Sequence, residues 1–199
     1  MGNACIREEV LAALLELLPQ ALQGDGLLLD VGCGGGWWLE RLCEAGVPAE
    51  RLVGIDLLND RVLAARERLP AAEVLQGDAR RLGLADGSCS LVLLFTVLSS
   101  MGSRDAVRSA LAEARRVIAP EGAIAVWEPR IPTPNRHTRL IRTSELRATL
   151  GGQLDVRSLT LAPPIARRGS RRLYRALARV PALRTHRLII ARPHAGGQA

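Results

Sequence analysis

Lysine is absent from this chain of 199 residues: all 27 basic side chains are arginine, which most simply follows the codon usage of a GC-rich genome. Aromatic residues are scarce as well, with three tryptophans, one tyrosine and a single phenylalanine, Phe95. The four cysteines (Cys5, Cys33, Cys43, Cys89) lack Cys-x-x-Cys spacing, so neither a disulfide framework nor a zinc site is expected. Acid pairs at metal-ligand spacing are missing too, and no metal is expected. No run approaches the roughly 18 apolar residues of a membrane span, and no cationic segment followed by an apolar stretch opens the chain. A cytoplasmic location is the expectation. Internal repeats and low-complexity tracts are also absent.

What is present is an alternation of helical and strand-like segments. Apolar residues at helical spacing predict a helix over Arg7–Leu22. Strands are expected at Leu27–Val31, Leu52–Asp56, Glu73–Gln76, Leu91–Thr96 and Ala123–Trp127. Helices are expected between them: Trp37 to about Ala45, Asn59–Leu69 with Asn59 as N-cap, and Asp105–Ile118, ended by a Pro120-Glu121-Gly122 turn. Further on, Ser144–Leu150 and Ser170–Val180 read as helices, and Leu154–Leu161 and Arg184–Ala191 as strands. Strands alternating with helices imply an α/β fold with a doubly wound, parallel sheet. At 48% hydrophobic, the chain can bury the core of one such domain, read here as residues 1–199.

The chemistry concentrates in Leu27-Leu28-Leu29-Asp30-Val31-Gly32-Cys33-Gly34-Gly35-Gly36, an apolar strand running through an acid into a glycine-rich turn before a helix. Such a turn brings backbone against a ligand at a helix start, as nucleotide sites do. A dinucleotide fingerprint needs glycine at the sixth turn position, but Trp37 stands there, and Asp30 would oppose a pyrophosphate. An NAD(P) oxidoreductase is disfavoured. About 20 residues on, Asp56 ends an apolar run where a carboxylate can accept both ribose hydroxyls. Gln76-Gly77-Asp78-Ala79 follows a third run, and Leu91-Val92-Leu93-Leu94-Phe95-Thr96 forms a fourth.

The acid-x-Gly-x-Gly-x-Gly pattern of Asp30, Gly32, Gly34 and Gly36 resembles the first motif of class I S-adenosylmethionine-dependent methyltransferases, and the later runs resemble their later motifs. The resemblance covers nearly the whole chain and implies a Rossmann-like, mostly parallel seven-stranded sheet with helices on both faces, whose last strand inserts antiparallel. It further implies S-adenosylmethionine as cofactor, with S-adenosylhomocysteine as product. The cofactor would meet Asp30, Gly32, Cys33, Gly34, Gly36 and Trp37 around the loop, and Asp56 and Leu57 at the ribose. Asp78 would receive the adenine amino group, Ala79 N–H a ring nitrogen, and Phe95 and Thr96 would floor the methyl site. Cys33 fills a position where the family carries a small residue, without a reactive role. Of the adjacent tryptophans, one should enter the core, and Trp37 is read as the one facing the pocket. Arg115-Arg116-Val117-Ile118-Ala119-Pro120-Glu121-Gly122 resembles the family's post-helix turn, with Glu121 in place of a glycine. The end of the chain resembles a bacterial subgroup of small methyltransferases.

Methyl transfer needs alignment above all, and a base only where the nucleophile carries a proton of high pKa. Candidate bases are Glu128, at the end of the fifth strand, and His137, in a Pro- and Arg-rich stretch. Residues 1–128 carry 12 Arg against 18 Asp and Glu, a net of −6; residues 129–199 carry 15 Arg against Glu145 and Asp155, a net of +13. The first part is read as the cofactor half and the second as the acceptor half. A basic acceptor half suits an anionic small molecule, RNA or an acidic surface, or is simply a solvated face. The expected function is methylation of a small-molecule acceptor, at oxygen, in bacterial secondary or glycan metabolism, by a monomer or homodimer. RNA- or protein-directed methylation and a non-catalytic cofactor-binding module are the alternatives.

Overall fold

The computed structural model describes residues 2–132, 135, 138–161 and 171–192. Seven strands form one sheet: β1 (Leu27–Val31), β2 (Leu52–Asp56), β3 (Glu73–Gln76), β4 (Cys89–Phe95), β5 (Ile118–Pro129), β6 (Gln153–Leu161) and β7 (Arg184–Arg192). Their spatial order is β3-β2-β1-β4-β5-β7-β6. Strands β1 to β5 pair in parallel, and β7 runs antiparallel between β5 and β6. The expected sheet, with its inserted antiparallel last strand, is therefore present.

The parallel strands are covered on both faces, which is why β1, β2 and β4 read as unbroken apolar runs. On one face lie α1 (Gly2–Leu17), α2 (Pro19–Gln23), α3 (Trp37–Glu44) and α4 (Asn59–Arg68), contributing Leu14, Leu22, Leu39 and Val62 to a shared core. The other face is covered by α5 (Arg104–Val117) and α6 (Thr143–Leu150), through Val107, Leu111, Leu146 and Leu150. Among the described residues a further helix, α7 (Arg171–Leu177), brings Tyr174 against Ile6 of α1. Arg51 joins the start of the sheet to α2: its guanidinium donates to Leu22 O at 2.8 Å, to Gly26 O at 2.9 and 3.0 Å and to Ala21 O at 3.3 Å.

Three local expectations change. The first helix divides at Leu18, because Pro19 opens α2 at its first position. Leu58, not Asn59, occupies the cap position of α4, because Asp56 Oδ1 accepts the Leu58 N–H at 3.0 Å and turns the chain. Pro120-Glu121-Gly122 falls inside β5 as a bulge: Ile118 pairs with Cys89 and Ala123 with Leu91, so residues 119–122 stand opposite Ser90 alone. A Cβ at Gly122 would stand 2.8 Å from the Ile118 side chain, so glycine lets the strand close there.

After β3 the chain returns to the middle of the sheet to place β4 beside β1. This reversal opens a crevice beyond the C-terminal ends of the strands, where open parallel sheets bind ligands.

Candidate functional site

The glycine-rich turn joins β1 to α3 at that crevice. Gly32 and Gly36 both have φ +74°, a left-handed conformation unfavourable to other residues. Space forbids a side chain as well: a Cβ would stand 2.7 Å from Val97 at Gly32 and 3.0 Å from Ala65 at Gly36. The Gly32 and Cys33 amides both donate to Ile55 O, at 2.7 and 3.1 Å, so the turn is fastened to β2. Asp56, at the end of β2, completes the fastening: its Oδ2 accepts the Gly34 N–H at 2.8 Å, while Oδ1 holds Leu58. An ionised carboxylate has about four acceptor directions, so Asp56 keeps capacity for further donors.

Between these elements lies a cavity of about 550 Å³. Of the residues expected at the cofactor, Gly32, Asp56, Leu57, Asp78, Ala79, Phe95 and Thr96 line it together. Thr96 has φ +56°, alone among the described non-glycine residues, where a β-branched side chain is strained. Hydrogen bonds hold it there: its N–H donates to Trp127 O at 2.9 Å, and Ser100 Oγ donates to its carbonyl at 3.0 Å. Asp78 grips Arg80 through both carboxylate oxygens, which keeps its pKa below the usual carboxylate range. Sequence reasoning missed Arg80 and Arg61 as lining residues. Arg80 had a signal, since it follows Asp78 by two and closes an Asx turn through its N–H at 2.9 Å.

Asp30 and Cys33 stand beneath the turn instead of lining the cavity. Asp30 is 1% exposed and its Oδ2 has no partner. Burial, and secondarily the Asp56 charge, push its pKa up to about 7. Burial drives the Cys33 thiol well above its ordinary value, so it is no thiolate. Gly34 and Gly36 shape the turn without lining the cavity.

Trp38 enters the core, as expected of one of the two tryptophans, while Trp37 departs from its expected place. Trp37 does not line the cavity; its ring lies under the Arg7 and Arg41 guanidiniums, 4.5 and 5.6 Å from the ring centroid. Trp38 faces the sheet, edge-on to Phe95 at 4.9 Å and 6.2 Å from Trp127. The left-handed Gly36 sets the phase of α3, and neighbouring helix residues point about 100° apart.

Glu128 is fully buried and does not line the cavity, a correction to its reading as a base in contact with the acceptor. Its carboxylate accepts the Ser99 N–H at 3.2 Å. His137 lies outside the described residues. His186 stacks on Trp127 at 5.0 Å, and burial lowers its pKa to about 4, as suits a structural imidazole. Among the described residues, no group of three His, Cys, Asp or Glu side chains is placed to hold a metal, and no helix is long and apolar enough to cross a membrane.

Several arginines of the basic part are occupied within the chain. Arg139 pairs with Glu145 at 2.8 Å and Arg157 with Glu16 at 2.9 Å, while Arg184 donates to Ala178 O at 2.8 Å and Arg192 to Leu17 O at 3.3 Å. For these four, the charge run is an internal set of hydrogen bonds and ion pairs.

Residues 29–126 match the family described as Methyltransferase domain. The chain is 42% identical over 104 residues, 51% of its length and 29% of the relative's, to an uncharacterized 37.1 kDa protein in transposon TN4556 of Streptomyces fradiae. It is 33% identical over 106 residues, 51% of its length and 43% of the relative's, to dTDP-3-amino-3,4,6-trideoxy-alpha-D-glucopyranose N,N-dimethyltransferase of Streptomyces venezuelae. It thus spans less than half of either protein. A SAM-dependent methyltransferase from Archaeoglobus fulgidus has the same fold, with a TM-score of 0.69 at 16% identity and 92% of each chain covered.

Proposed function

The chain carries a class I S-adenosylmethionine-dependent methyltransferase domain, and on that premise we propose that it methylates a small molecule at an oxygen or nitrogen atom. One observation carries the reading: the glycine turn, Asp56, the Asp78-Ala79 pair and the strained Thr96 converge on one cavity at the sheet's switch point. S-adenosylmethionine supplies, when bound, a methyl already activated by its sulfonium.

The donor set fits that cofactor. Asp56, fixed by two amides, is prepared to accept the ribose hydroxyls. Asp78 and Ala79 N–H suit the adenine edge, with Leu57 packing on its face. The unpartnered Oδ2 of Asp30 is a buried acceptor suited to a cation, and the cofactor's amino-acid end carries an ammonium. What these groups contribute to transfer is alignment, the largest part of what such a reaction asks of a protein.

An oxygen acceptor is the reading taken from the sequence. An amine is the second reading, favoured by the Streptomyces venezuelae relative, whose name gives an N,N-dimethyltransferase of an amino sugar nucleotide. An RNA acceptor has less support, because basic side chains it would need are engaged internally. The residues are proposed to act as one domain in the cytoplasm. Calorimetric titration with S-adenosylmethionine, S-adenosylhomocysteine and NADH tests the reading. Micromolar binding of the first two and none of NADH is expected; binding of NADH alone overturns it.

A further inference from the structure

The chain segment leaving β4, residues 96–101, forms one wall of the cavity through Thr96, Val97, Ser100 and Met101. A segment that carries a strained Thr96 keeps its shape only if its surroundings over-determine it. From one side, the Arg139 N–H donates to Ser99 O at 2.9 Å. From beneath, Glu128 Oε1 accepts the Ser99 N–H at 3.2 Å.

Glu128 is otherwise poorly compensated for a buried acid. Along β5, Val126 faces the α5 and α6 side, so Glu128 two residues on does the same. Its Oε2 is buried without a partner. Two arginines act on it electrostatically and are bonded elsewhere. Arg139 pairs with Glu145, which also senses Arg104. Arg187, opposite Glu128 in the β5–β7 ladder, donates to Thr143 Oγ1 and Ile141 O and is opposed by Arg130. The hydrogen bond from the Ser99 amide is therefore the carboxylate's principal close contact.

We propose that Glu128 is a positioning residue, whose ionised carboxylate holds residues 96–101 in the conformation that the cofactor cavity requires, so that protonating it loosens this wall. The inference rests on the cofactor reading above only for its binding arm. Burial brings the carboxyl's titration to about pH 7, which makes the switch accessible in wild-type protein.

The test is amide hydrogen exchange at Ser99, corrected for intrinsic rates, in ligand-free wild type between pH 6 and 8.5 and in Glu128→Gln at pH 8. Charge-assisted hydrogen bonds are about twice as strong as neutral ones, so protection at this amide should fall roughly tenfold below about pH 7 and in the variant. Global stability should move the other way, because a buried acid with a raised pKa favours the native state at low pH. Affinity of the variant for S-adenosylhomocysteine at pH 8 should fall with the protection. Unchanged protection across pH, or lost protection with wild-type affinity, overturns the proposal. Failure of wild type to bind S-adenosylhomocysteine counts against the cofactor reading instead, while the exchange still decides whether Glu128 holds the wall. The pH series needs no variant, so misfolding of Glu128→Gln leaves the proposal exposed to refutation.

Discussion

Replacing Asp30 with asparagine removes a buried charge while keeping the side chain's size. The carboxyl is 1% exposed, one oxygen has no partner, and burial with the Asp56 charge raises its pKa from 3.8 to about 7. Between those values the native protein binds a proton that the unfolded chain has released. Stability from this group is therefore full below about pH 4, declines as pH rises, and is gone above about pH 7. A shift of roughly 3 units corresponds to about 4 kcal/mol at 1.36 kcal/mol per unit, an order-of-magnitude ceiling. At roughly 2–4 °C per kcal/mol for a chain of this size, Asp30→Asn should melt on the order of 10 °C above wild type at pH 8.5, with the gap narrowing to less than about half of that by pH 5 and closing only below about pH 4. Thermal unfolding followed by circular dichroism across that range reads it directly. Glu128 titrates in both proteins and cancels in the difference. A difference in melting temperature that does not vary with pH would refute the reasoning. The same carboxyl gives a second reading, because an ammonium brought to it would favour its ionised form. Wild type should release roughly half a proton on binding S-adenosylmethionine at pH 7, detected as a heat that depends on the buffer, and Asp30→Asn should release none. Equal release from both proteins would move the ammonium away from Asp30.

Strand identity was legible because buried parallel strands leave an unmistakable trace. Leu27–Val31, Leu52–Asp56 and Glu73–Gln76 were read with the boundaries they have in the fold. Asp56 and Asp78 were legible as site residues because each follows an apolar run, so topology carries them to the same edge of the sheet. What escaped the reading depends on contacts between distant segments. Nothing in Phe95-Thr96-Val97 announces a left-handed threonine, because the Thr96 conformation is held by Trp127 O and Ser100. Trp38 enters the core as read, but the direction of Trp37 follows from the phase that Gly36 gives α3, a three-dimensional matter that one glycine code letter does not convey. Glu128 was read as a base facing an acceptor, and it lies buried away from the cavity instead. Its place at the end of β5 was correct, but alternation along the strand turns it towards α5 and α6, where it meets the Ser99 amide.

Three further substitutions separate what holds the site from what holds the fold. Asp56→Ala strands the Gly34 and Leu58 amides and removes the proposed ribose acceptor, so S-adenosylhomocysteine affinity should fall by about 2 kcal/mol, roughly 30-fold, by calorimetry; an unchanged Kd would put the ribose elsewhere. Gly36→Ala forces a Cβ to 3.0 Å from Ala65 at a φ of +74° and should cost on the order of 1–3 kcal/mol in urea unfolding; a neutral result would mean that α3 and α4 can part without penalty. Arg51→Ala is the counterpart to both. The guanidinium holds the carbonyls of Ala21, Leu22 and Gly26 at the N-terminal end of β1, the opposite end of the sheet from the cavity. Losing charge-assisted bonds to these three carbonyls and to Ser90 Oγ should cost about 2–3 kcal/mol of stability, and Arg51→Lys should recover only part, because an ammonium cannot reproduce the planar fork. Cofactor affinity of the folded fraction should stay at the wild-type value. If affinity falls in step with stability, the loop from α2 into β1 is coupled to the glycine turn through β1, and the cavity is less rigidly carried by the sheet than its hydrogen bonds imply.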